Sequence, residues 1–92
     1  LVEKSEVFEL SMEYGKSYLK RNAYESAIKE FRHALKVFPE DKEALDYLVK
    51  AYVKDCISND NNCDTAKKIL SDLIRKYPEN FDYMSYRISI EK

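Results

Sequence analysis

Glycine is almost missing from this chain: Gly15 is the only one in 92 residues, beside two prolines and no tryptophan. Strand-rich folds punctuate their hairpins with far more turn residues, so the shortage argues for helices. No apolar run approaches the ~18 residues needed to span a bilayer, and no targeting segment is recognisable. Charge of one sign is not in excess: 16 basic and 17 acidic side chains leave a formal net charge of −1. That balance gives no electrostatic reason to expect nucleic acid as a partner. There is no glycine-rich phosphate loop and no cluster of metal-ligand histidines and cysteines, so no cofactor and no metal are expected. The chain begins at Leu1 rather than at a methionine, and is read as a piece of a longer protein.

What is present is a pattern. Hydrophobic residues make up 45 % and charged residues 36 % of the chain, a mixture that suits amphipathic helices with solvated outer faces. Lys36-Val37-Phe38-Pro39-Glu40-Asp41 and Arg75-Lys76-Tyr77-Pro78-Glu79-Asn80 share one order: basic, any, aromatic, Pro, Glu, Asp or Asn. Ala27, Phe31, Ala34 and Pro39 are spaced 4, 3 and 5, as are Ala66, Leu70, Leu73 and Pro78. Steps of four and three hold side chains on one helical face. Upstream, Leu10 and Ala44, Tyr18 and Tyr52, and Leu19 and Val53 are each 34 apart, whereas Ala27 and Ala66 are 39 apart. A 34-residue unit therefore repeats, with five extra residues between Tyr52 and Ala66. The polar run Ser58-Asn59-Asp60-Asn61-Asn62 has loop composition and is the expected insert.

Each unit predicts two helices. The first pair covers about 7–21 and 23–38, with Asn22 expected to cap the second helix. Its buried stripe is Ala27, Ile28, Phe31, Ala34, Leu35 and Phe38, and Pro39 ends it. The second pair covers about 42–55 and 64–77, with Asp41 as cap. Ala44, Leu45, Leu48, Val49, Tyr52 and Val53 form the stripe of one helix; Ala66, Ile69, Leu70, Leu73, Ile74 and Tyr77 form that of the other. Asn80 caps a fifth helix at about 81–91 that carries Phe81, Met84 and Ile88.

Gly15, Tyr18, Ala27, Phe31, Ala34 and Pro39 resemble the tetratricopeptide repeat (TPR) pattern at that family's spacing. The physical reason is close approach: Gly15 and Ala27 are small where two helices meet, and Tyr18 and Phe31 fill the space beside them. The second unit keeps Tyr52, Ala66 and Pro78, but has Val49 for the glycine, Leu70 for the aromatic and Leu73 for the small residue. The resemblance implies an all-α fold of antiparallel helical hairpins stacked as a short right-handed α-solenoid. It predicts a single domain over 1–92, with units at about 8–41 and 42–80, an inserted loop at about 56–63 and a C-terminal helix at about 81–92.

It also implies a function: no enzyme, but a protein-interaction module whose first helices line a concave groove. Residues 34 apart would form rungs there: Lys16 with Lys50, Lys20 with Lys54, Glu9 with Glu43. Asp46 and Tyr47 join the groove, and Met12, Leu19 and Val53 are expected to add apolar contact. The partner expected is an extended or helical peptide of acidic character. Ile88 and Ile90 suggest the alternative, a structural or oligomerisation module packing through its exposed terminal helix face onto a copy or neighbour. Some family members grip a chaperone's C-terminal carboxylate with Lys, Asn, Asn, Lys and Arg; the corresponding residues here are Met12, Lys16, Tyr47, Asp82 and Tyr86, and none matches.

Three smaller features remain. His33 is the sole histidine and has neither an orienting partner nor a nucleophile nearby in sequence, which predicts a partly exposed helical side chain. Asp60, Asn62 and Asp64 alternate like the start of a calcium loop, but Thr65 stands where the glycine is required and the closing glutamate is missing. Cys56 and Cys63 flank the insert. Antiparallel helix ends can bring two Cα atoms within bridging distance, yet cytosolic proteins keep such thiols free. Either state fits the spacing, and the sequence leaves the compartment open: cytoplasmic is slightly favoured, extracytoplasmic if the two are bridged.

Overall fold

Apolar periodicity of 3.6 runs through nearly the whole chain, and the chain follows it. The computed structural model describes residues 3–91. Among them are five α-helices: α1 (Lys4–Lys20), α2 (Tyr24–Val37), α3 (Lys42–Asn59), α4 (Cys63–Lys76) and α5 (Phe81–Ile90). The ends of the expected 1–92 domain, Leu1, Val2 and Lys92, lie outside the described residues. The structure divides into two compact units, and the division falls inside α3, between Ala51 and Tyr52.

In the first unit α1 packs on α2. Their direction is antiparallel, because Phe8 meets Phe38 with ring centroids 5.1 Å apart while Gly15 meets Phe31. The connection is tight because Asn22 takes a left-handed φ of 62°. The Asn22 N–H then donates to the Leu19 carbonyl at 3.0 Å and the Ala23 N–H to the Tyr18 carbonyl at 2.9 Å. This is the paired-bond ending that Gly or Asn provides past a helix C-terminus. Asn22 therefore terminates α1 rather than capping α2, whose N-cap is Ala23 with no side-chain bond. The side chain of Asn22 accepts instead from the Tyr24 hydroxyl at 3.1 Å.

Pro39 leaves α2 ending at Val37. Asp41 starts α3 by accepting the Ala44 N–H at 2.9 Å. The buried face of α2 is Tyr24, Ala27, Ile28, Phe31 and Ala34. Phe38 stays 38 % exposed while covering Phe8.

In the second unit α4 packs on α5, with Tyr77 and Tyr83 in a tilted ring contact of 6.3 Å. Ala66, Leu70 and Leu73 form the buried face of α4. Asn80 accepts the N–H groups of Asp82 and Tyr83 and so sets the start of α5. Of the two residues expected on an exposed terminal face of α5, Ile88 points outward and Ile90 does not. Tyr83 and Ile90 are buried, whereas Phe81, Met84 and Ile88 point outward. Once Tyr83 is placed against Tyr77, the helical period turns those three residues away.

The insert also differs. The helix continues to Asn59, so only Asp60, Asn61 and Asn62 are non-helical. A buried acid explains the turn. Asp55 is 1 % exposed. Its carboxylate accepts the side-chain amides of Asn59 at 2.8 Å, Asn61 at 3.3 Å and Asn62 at 2.8 Å. Asp60 and Asn62 adopt left-handed φ angles of 53° and 60°, which their short polar side chains tolerate better than most. Beside this turn Cys56 and Cys63 are joined by a disulfide, with Cα atoms 4.7 Å apart.

Candidate interaction surface

The surface of the first unit that concentrates charge lies on α1 and the beginning of α3. It is built outward from the core. Gly15 is small because Phe31 lies on it: a Cβ at Gly15 would stand 2.5 Å from Phe31 Cε1. Phe31 is fully buried, and its ring stacks on Tyr47 of α3 at 5.4 Å with an interplanar angle of 20°. Tyr47 is half-buried, so its other face is available. Lys16 covers it, with Nζ 5.0 Å from the ring centroid. The same Nζ lies 3.8 Å from Glu43 Oε2. A cation, an acid and an aromatic are thus held together at the surface on a packed aromatic base.

The remaining expected groove residues divide. Lys20, Glu9 and Glu43 are exposed, and Lys50 and Asp46 are half-buried. Asp46 pairs with Lys42 at 3.8 Å. Lys54 is exposed and belongs to the second unit. Met12, Leu19 and Val53 are corrected by burial: they are 4 %, 8 % and 2 % exposed and serve the core, not a partner. Their apolar side chains sit on the inward stripe of their helices, where removal from water stabilises the fold. Of the repeat-packing residues, Ala27, Ala34, Tyr52, Ala66 and Leu70 are buried with Phe31 and Gly15. Tyr18 is half-buried under Arg21, and Pro39 and Pro78 are exposed at the turns.

His33 has a partner that lies 22 positions away. Ser11 Oγ is 2.9 Å from His33 Nδ1. Ser11 is 3 % exposed, so its hydroxyl cannot meet a substrate, and the bond ties α1 to α2. No local sequence signal joins these two residues; only their positions on facing helices do. Lys29, Arg32 and Lys36 lie in a second exposed area on α2, around a shallow cavity that includes Ile28 and His33. No helix among the described residues is long and apolar enough to cross a membrane.

A family model described as tetratricopeptide repeat matches residues 43–80. That span holds most of α3, the disulfide turn and α4, the unit whose glycine, aromatic and small positions depart from the pattern. No curated protein and no solved structure matches the chain at a significant level.

Proposed function

Because residues 43–80 match the tetratricopeptide repeat, a repeat that generally serves protein–protein interaction, we propose that α1 and the beginning of α3 receive an acidic peptide segment of a partner. The observation that carries this reading is the placement of Lys16. Its ammonium group is held over Tyr47 and against Glu43, and 41 % of the side chain remains exposed. Glu43 is 60 % exposed and 3.8 Å away. An exposed pair of this kind contributes only about 0–1 kcal/mol. A partner carboxylate can therefore take the place of Glu43 at little cost. Lys20, one turn further along α1, and Lys50 on α3 extend the positive surface and raise the local concentration of an acidic ligand.

Calorimetric titration with a peptide of alternating Asp and Leu tests the reading. Binding in the micromolar range, about −8 kcal/mol, is expected to weaken as salt rises. The Lys16→Glu, Lys50→Glu double variant should bind at least tenfold more weakly with unchanged helicity, and Lys29→Glu on α2 should bind like the parent. Equal affinity of the double variant and the parent would end the proposal.

The Cys56–Cys63 bridge supports an extracytoplasmic setting, since cytosolic thiols are kept reduced. Two titratable thiols in protein purified without reductant would count against that placement.

A further inference from the structure

α5 covers one side and leaves another bare. Phe81, Met84 and Ile88 are 79 %, 45 % and 72 % exposed. Steps of three and four residues set them in one line along the helix. Three large apolar side chains in line on a ten-residue helix are not the scattered singles of an ordinary surface.

The repeat identifies what such a line faces. The caps Asn80 and Asp41 place α5 39 positions after α3, and α3 follows α1 by 34. These offsets carry Phe81, Met84 and Ile88 back onto Phe8, Ser11 and Gly15. In α1 two of those residues meet α2 and the third meets the residue that ends it. Phe8 contacts Phe38, Ser11 bonds His33, and Gly15 lies under Phe31. We infer that Phe81, Met84 and Ile88 form a docking surface for an amphipathic α-helix of a protein partner, lying antiparallel on α5 as α2 lies on α1. The surface repeats, within the second unit, a kind of interface that the first unit already contains. It is separate from the acidic-peptide surface and does not depend on it.

The register also dictates the partner's chemistry. Ile88 stands where Gly15 has no side chain, so the residue facing it is small, unlike Phe31. Seven residues further along the partner helix, the residue facing Phe81 is large and apolar, as Phe38 is. Between them, Met84 asks for an apolar neighbour where Ser11 has a histidine. A second copy of this chain does not meet these terms. Its α2 carries Phe31 and Ala34 fully buried in its own unit. Two α5 lines face to face would cover only three partly exposed side chains per copy, short of the ~1,200 Å² typical of stable association.

The probe is a synthetic peptide of residues 22–39 of this chain carrying Phe31→Ala and His33→Leu, read by fluorescence anisotropy and circular dichroism. It is expected to bind saturably and gain helix. Ile88→Lys and Met84→Lys, both at exposed positions and so expected to keep the parent's helicity, should each weaken it at least tenfold. The same peptide with Phe31 restored should bind more weakly, and Lys16→Glu, Lys50→Glu should bind it like the parent. No binding, or binding indifferent to Ile88→Lys and Met84→Lys, overturns the inference. So does a dimer of the unliganded chain that Ile88→Lys abolishes, because the occupant would then be a second copy.

Discussion

At Gly15 and Phe31 a single missing carbon decides how near two helices stand. An added Cβ would lie 2.5 Å and 2.8 Å from the Phe31 ring carbons Cε1 and Cδ1, well inside ordinary contact distance. Phe31 has no space to retreat, since it is fully buried and stacked on Tyr47. Gly15→Ala improves helix propensity by about 1 kcal/mol. Overpacking a closed contact costs about 1–3 kcal/mol. The clash wins here, because the blocked atoms belong to a rigid ring rather than to the end of a flexible chain. Gly15→Ala should therefore lower the melting temperature, by roughly 4–8 °C for each kcal/mol lost. A melting temperature equal to or above the parent's would show that α1 and α2 can separate without cost. This pair was legible in the sequence, because glycine and phenylalanine stand at the spacing of the repeat. The Ser11–His33 bond was not, because nothing in local composition marks two residues on different helices as neighbours.

Helix ends were partly legible, and the failures share a cause. Asp41 and Asn80 read as caps and act as caps. Asn22 reads the same way, yet asparagine also tolerates the left-handed backbone, and after α1 that second property is used. Asp55 lies off the apolar stripe expected of α3 and drew no notice in the sequence, yet it is the buried acceptor of three amides. The polar run after it reads as loop; its first two residues are helix because those amides are drawn back to Asp55. Asp55→Ala removes the shared acceptor and should cost about 1–3 kcal/mol, the penalty typical of a lost buried polar partner. Hydrogen exchange should quicken at the backbone amides of Asp60 and Asn61, which bond to the carbonyls of Cys56 and Asp55. Unchanged exchange would assign the turn to the disulfide alone. On α5 the outward Ile88 was legible but the burial of Ile90 was not. Periodicity reports which face of a helix is apolar, but not which of its apolar residues a neighbour covers.

For the molecule as a whole, the repeat period and the shortage of turn residues were enough to establish an all-α architecture of helical hairpins. They did not reveal the division inside α3, because an unbroken helical period crosses Ala51 and Tyr52 without any change of composition. Lys16–Glu43, Lys42–Asp46, Arg75–Asp72 and Arg87–Glu91 are ion pairs between substantially exposed side chains. They add little to folding. With a net charge of −1 there is also little overall repulsion to resist approach by another macromolecule.

The disulfide bears on how the chain is made as well as on how it rests. Its two cysteines are only seven positions apart. Loops of about ten residues close in roughly 10–100 ns, far faster than covalent oxidation. During synthesis the two thiols can therefore meet repeatedly as soon as the start of α4 has emerged, before α5 exists to pack against it. Oxidation at this site does not wait for distant segments to assemble. Closure of this bridge is then limited by the supply of oxidant rather than by a search through conformations.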